Sequence, residues 1–420
     1  MSALNRFLFC IVAAGCASNR PGPPPNPRIS SSAWREDLEV VRKELPRRHA
    51  NAFHLISRAT FEAAVDDLAS KADQQDSDVR FVGLARVLNR VGDGHTGLLA
   101  PVDRAYFPVQ IREFDGDLRI ARVAPGLEAA LGARVLKVGD TPAQQALRRA
   151  LELTPEDENA PLRHALAANY LSRGLMLHGL DLIPERTRVT YTLADDTGRV
   201  YPLEVKSIPS PDWEHWSRPY PQPPLSERHV GEPFWCVNLA EERTVYCNFR
   251  AYDGLGSRAA EMVKMVQTAA PEKLVIDLRD NGGGDYTEGE RHVIRPIQRM
   301  VSINRQGHLF VLVGPSTFSA AMNNAVQFRS MTAAILVGDT IGEKPNSYQE
   351  PRELTLPNSH LTVRYSTEWY AFLKNGPNVV EPDIRIVPSW AQYAAGKDPV
   401  LEYVLAARAA GLPVSEARRY

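Results

Sequence analysis

Two five-residue runs, Leu274-Val-Ile-Asp-Leu278 and Leu309-Phe-Val-Leu-Val313, each end in a loop of unusual composition and then give way to a helical pattern. Runs this short and this apolar on successive positions read as strands buried on both faces, which occur in parallel sheets covered by helices. A third buried run at 333–337 and a helical pattern over 257–269 extend the alternation. Residues 231–420 are therefore predicted as an α/β domain with a partly parallel central sheet, to which a hairpin over 354–363 is added.

The remainder is built differently, so the fold class of the whole is mixed α/β and α+β. From 32 to about 90 Leu38, Val41 and Leu45 recur at helical spacing, followed by the apolar faces Phe61, Val65, Leu68 and Leu84, Val87, Leu88. Thr60 and Ser77 are candidate N-caps, and a helical N-terminal cap is assigned to 32–103. Short strands then cluster at 107–111, 118–123, 133–138 and 188–193, with turn signals at Asp115-Gly116 and Gly139-Asp140. Residues 104–230 resemble a PDZ module with an insertion, mainly through Leu131-Gly-Ala-Arg-Val-Leu-Lys-Val-Gly-Asp140 and the helix expected after it. That resemblance implies capture of a peptide as an added strand; the alternative is a β-rich spacer.

The first fifteen residues are expected to be a signal. Arg6 is followed by an apolar run and by Ala13-Ala14-Gly15 directly before Cys16, which resembles a bacterial lipoprotein signal cut so that Cys16 carries lipid. The Pro-rich stretch within 16–31 suits a tether. The expected product is an exported cell-envelope lipoprotein held at a membrane through its N-terminal lipid. Two further cysteines remain, Cys236 and Cys247, in strand-like runs flanking Ala240-Glu-Glu-Arg243. A four-residue loop places them opposite each other, where a disulfide can form in an oxidising compartment; two buried thiols are the other reading. With 49 basic against 50 acidic residues, nothing favours nucleic acid as a partner. No metal-type Cys/His spacing is present and no cofactor is implied.

Chemistry concentrates in the loops that follow the two buried strands, where open α/β sheets place their sites. Arg279-Asp-Asn-Gly-Gly-Gly284 exposes backbone N–H groups that could face a developing oxyanion. Gly314-Pro-Ser-Thr-Phe-Ser-Ala-Ala-Met322 enters a helix at Ser319, whose hydroxyl would lie at a helix N-terminus; helix capping is the plainer role.

Taken with Asp93-Gly-His-Thr96, Val337-Gly-Asp-Thr-Ile-Gly-Glu-Lys344 and Val380-Glu-Pro-Asp-Ile384, these loops resemble the C-terminal-processing, or tail-specific, serine peptidase family, which includes the tricorn protease core. The pieces stand in family order over nearly all of the mature chain. The resemblance implies hydrolysis of polypeptides through an acyl-enzyme on Ser319, with oxyanion donors at the backbone of Gly283 and Ala320. Two bases remain open. One branch of the family uses a lysine 25 residues after the serine, where Lys344 stands, and this is the favoured reading. Another uses a histidine at the position of His95, oriented through a neighbouring serine and a distant glutamate. Here the neighbour is Gly94, so that relay is absent, and Glu381 or Glu343 would have to orient His95 directly. The rival function is a non-catalytic peptide- or ligand-binding lipoprotein on the same fold; hydrolysis of small esters or amides is a third.

Overall fold

The computed structural model describes Asn26, residues 28–99 and residues 105–408; the signal and Cys16 lie outside them. Helices α1 (Ser31–Arg48), α2 (Arg58–Ser70) and α3 (Ser77–Asn89) open the chain. Their amides are capped by Ser30, Ser57 and Asp76. Thr60 and Ser77 are thus not the caps. Thr60 sits three residues inside its helix and gives its N–H to Ser57 Oγ at 3.1 Å, because only a residue outside the first turn can turn its side chain back onto the orphan donors.

After the two-residue strand β1 (Gly97–Leu98), the chain forms an antiparallel sheet in the order β2-β3-β4-β6-β7. Its strands are β2 (Val109–Phe114), β3 (Asp117–Val123), β4 (Arg134–Val138), β6 (Arg188–Ala194) and β7 (Val200–Lys206), with β5 (Thr141–Pro142) beside β4. Three helices fill the interval before β6: α4 (Ala143–Leu151), α5 (Ala160–Tyr170) and α6 (Gly174–Gly179).

The second large sheet has the order β15-β12-β11-β10-β9-β8. Strands β8 (Phe234–Leu239) and β9 (Thr244–Phe249) form the expected hairpin, with Cys236 opposite Cys247 and the two joined by a disulfide. Helix α7 (Leu255–Ala269) leads to β10 (Lys273–Asp277), which lies parallel to β9 and to β11 (Leu309–Val313). A broken helical stretch, α8 (Tyr286–Gly289), a π turn over Glu290–Ile294 and α9 (Arg295–Gln298), connects the two. Helix α10 (Ala320–Met331) then returns the chain to β12 (Ile335–Gly338), parallel to β11 and to β15 (Ile384–Arg385). Leu274, Ile276, Leu309 and Val311 face one apolar core under α7 and α10. Val275, Phe310 and Leu312 face a second core that receives Val400, Leu401 and Val404. Both faces are covered, which is why these strands carry continuous rather than alternating apolar residues. Helices α11 (Trp390–Ala394) and α12 (Pro399–Ala406) are the last elements among the described residues.

The hairpin is longer than the sequence pattern indicated. Strands β13 (Asn346–Thr355) and β14 (Thr362–Ala371) pair along their length, and β14 also takes β1 as a neighbour through Gly97 opposite Arg364. The helical cap is stitched to this hairpin a second time by buried Asp37, which accepts the backbone N–H groups of Asn358 and Ser359 at 3.0 and 2.8 Å. Leu354, Leu361, Val363 and Tyr365 accordingly join the same core as α1 to α3.

Candidate active site

Ser319 stands at the junction of β11 and α10 with φ 53° and ψ −127°, a left-handed conformation that costs a non-glycine residue about 1–3 kcal/mol. The turn holds because its neighbours over-determine it. Phe318 N–H donates to Asn281 O at 3.0 Å, Thr317 Oγ1 donates to Leu278 O at 2.8 Å, and Ser319 N–H donates to Glu343 Oε2. Gly283 is pressed against the same turn. With φ 110° it is itself left-handed, and a Cβ there would come within 2.5 Å of Ser319 Cβ. The triple-glycine loop therefore serves first as close packing under Ser319.

The loop is anchored from below by Arg279, whose guanidinium pairs with Asp277 and Asp398 at 2.6 and 2.8 Å. Asp277 also accepts Tyr246 O–H at 2.7 Å. Burial pushes the Asp398 carboxyl up, and the Arg279 charge more than reverses this and holds it below its usual value.

His95 comes to the serine from the other side of the molecule. It lies on the segment between α3 and β1, 3% exposed, with its ring 4.9 Å from that of Phe318. Its Nε2 is 3.2 Å from Ser319 Oγ and its Nδ1 is 3.4 Å from Glu343 Oε1. The second contact is too long to count as a good hydrogen bond, and Nδ1 has no closer partner among the described residues. Burial, and then the Arg364 charge, lower the His95 pKa to about 3, so the ring is neutral throughout the physiological range. The loop carrying it is fixed by Asp93, whose Oδ1 accepts His95 N–H at 3.2 Å and Ser366 O–H at 2.6 Å. Asp93 Oδ2 lies 3.0 Å from His49 Nε2; His49 Nδ1 accepts Asn51 N–H, so Nε2 carries a proton and donates. Burial works against the Asp93 charge, but His49 and Ser366 hold its pKa below the usual value.

Glu343 is fully buried, receives Ser319 N–H and, at 3.4 Å, Ser347 O–H, and lies beside the His95 ring. Ser347 Oγ is in turn taken by Gln349 Nε2 at 3.1 Å, which leaves its own proton for Glu343. Burial and the neighbouring Glu158 push the Glu343 carboxyl well up, against the pull of these donors.

Several expectations are corrected here. Lys344 does not contact Ser319: its Nζ lies 2.5 Å from Asp157 Oδ1 in a partly exposed ion pair, because the chain direction after Glu343 turns the lysine outward. Glu381 does not orient His95; its Oε2 accepts Thr340 O–H at 2.7 Å, and Glu343 occupies the place by Nδ1. The Gly283 N–H is committed to Asn281 Oδ1 at 2.9 Å. Ala320, the first residue of α10, keeps a first-turn amide with no partner from within the helix. Ser319, His95, Gly283 and Ala320 are brought together, whereas Lys344 and Glu381 stand aside. Glu158 was missed altogether. It sits in the acidic run Glu156-Asp157-Glu158, which by composition reads as a solvated face. Among the described residues no cluster of His, Cys, Asp and Glu is placed to hold a metal ion.

This geometry lies on a known architecture. A point variant of CPAF superposes with a TM-score of 0.61 at 14% identity, over 91% of this chain and 99% of that one. The chain shares the CPAF fold. Mature CPAF complexed with lactacystin gives 0.58 at 12% identity, over 89% of this chain and 97% of that one. The photosystem II D1 C-terminal processing protease matches at a TM-score of 0.39 and 14% identity, over 88% of this chain and 98% of that one. No protein-family model and no curated protein matches the sequence. The fold is mixed α/β, as expected from the patterning.

Proposed function

We propose that the protein is a serine peptidase in which Ser319 is the nucleophile, His95 the general base and Glu343 the acidic side chain that flanks His95 Nδ1. The observation that carries this reading is the 3.2 Å contact between His95 Nε2 and Ser319 Oγ, with Lys344 drawn away to Asp157. In the reaction His95 Nε2 takes the hydroxyl proton as Oγ attacks the scissile carbonyl carbon. The proton passes to the leaving amine as the C–N bond breaks, and water activated by the same imidazole hydrolyses the acyl-enzyme. The Ala320 N–H, at the positive end of α10, is the donor best placed for the oxyanion. With the hydrogen of the neutral imidazole on Nδ1, the side facing Glu343 Oε1, Nε2 is left as the acceptor for the Ser319 proton. Polypeptides are the substrate class, in line with the family resemblance.

The test is a fluorophosphonate label mapped by peptide mass, together with turnover of a chromogenic peptide by three variants. Ser319→Ala and His95→Ala should each lower kcat by about three orders of magnitude or more, and should not add when combined. Lys344→Ala should stay within about tenfold of wild type, since an ion pair of this exposure is worth little. A dead Lys344→Ala beside an active His95→Ala would return the base to lysine.

Export as a lipoprotein is the accompanying proposal. It is supported by the charged, apolar and small-residue sequence before Cys16, and the Cys236–Cys247 disulfide suits an oxidising compartment. Detergent partitioning that survives Cys16→Ser would refute it.

A further inference from the structure

The acidic run between α4 and α5 is not solvated at its third member. Glu158 is 6% exposed and lies between the two loops that deliver His95 and Glu343. Its Oε1 accepts Gly94 N–H at 2.8 Å, and its Oε2 accepts Lys344 N–H at 3.1 Å. Gly94 directly precedes His95 and Lys344 directly follows Glu343, so one carboxyl group ties the backbone on both sides of the His95–Glu343 contact. The flanking residues repeat the tie. Asp157 N–H donates to Gly92 O and Asn159 N–H to Gly342 O, each at 3.0 Å, while Asn159 Nδ2 donates to Ile341 O at 2.8 Å. The Lys344–Asp157 ion pair closes the same seam. Position 94 is shaped for the carboxyl: a Cβ there would come within 2.8 Å of Glu158 Oε1 and 2.7 Å of Phe318 Cζ. A glycine at this point therefore admits Glu158 where a side chain beside the histidine would otherwise stand.

We propose that Glu158 is a positioning residue that sets the separation of His95 from Glu343, and through it the direction in which the imidazole meets Ser319. This rests on the reading of Ser319 and His95 given above. Burying a carboxyl is costly, and burial raises this one to about 8, so its retention asks for a return. The return is geometric. The strained Ser319 turn and the His95 loop come from segments more than two hundred residues apart, and Glu158 is the side chain that bonds the loops of both His95 and Glu343 at once.

Glu158→Gln tests this, because it keeps the shape while setting an amide nitrogen, which cannot accept, against one of the two backbone donors. We expect kcat to fall about 10- to 100-fold with KM within about twofold, the size typical of outer-sphere orienting residues. Fluorophosphonate labelling of Ser319 should slow in parallel, and the loss should vanish when the substitution is placed in His95→Ala. An unchanged kcat, or a loss that persists in full on the His95→Ala background, overturns the proposal. Should Glu158→Gln fail to fold, Asn159→Ala cuts the same seam more mildly and is judged by the same cycle. The imidazole 15N resonances of His95, assigned with His95→Ala, supply a readout that needs no turnover. They should shift in either variant, and unmoved resonances overturn the proposal. Resonances that shift in the variants of a protein whose wild type neither turns over nor labels would keep the positioning role and sink the peptidase reading.

Discussion

At the scale of single residues, the proposed base His95 makes predictions about both activity and acid stability. Burial holds its pKa near 3, so the neutral form that can accept the Ser319 proton persists far below the value of a solvated histidine. The rate should therefore stay flat from about pH 5 to 7, measured on a chromogenic peptide at saturation, where a lysine base would climb. The same shift has a stability consequence. The unfolded chain takes up the proton near the ordinary histidine value of about 6.5 and the folded chain only near 3, so stability is lost as pH falls between them. His95→Ala should flatten that limb in thermal midpoints recorded from pH 7 down to 4. An equal slope in both proteins would mean that another group carries it.

At the scale of elements, the loop after β10 depends on Arg279. Its guanidinium lies between Asp277 and Asp398, and so joins the end of a central strand to the start of α12. Arg279→Leu would leave two buried carboxylates without their counter-charge, which costs about 3–5 kcal/mol when one partner of a buried pair is removed. Urea titration should show that loss with an unchanged slope. Mutating both aspartates to asparagine in the same background should recover part of it, because the uncompensated charges are then gone. Gly283, in the same loop, tolerates no side chain against Ser319, and Gly283→Ala should abolish labelling of the serine far more than it lowers the thermal midpoint.

At the scale of the whole molecule, the site exists because distant segments are tied together. The α1–α3 cap reaches the β13–β14 hairpin, remote in sequence, through Asp37 at its tip and through β1 on its edge. Asp37→Ala would strand two backbone donors, each costing about 1–3 kcal/mol when buried without a partner. We expect a lower midpoint in a single cooperative transition, with activity lost along the same curve; a separate early transition of the cap would show that the ties are weaker than their geometry. What the sequence by itself determined is what short-range chemistry dictates. The buried strands at 274–278 and 309–313, the cysteine hairpin register and the serine at a strand-to-helix turn all follow from patterns within a dozen residues. The identity of the base did not follow. Lys344 stood at a family spacing, but which side of the chain its side chain leaves, and whether Glu343 or Glu381 meets His95, depends on how three segments far apart in sequence pack together. Glu158 was illegible for the same reason: an acidic run looks solvated until the tertiary fold closes two loops over its carboxyl.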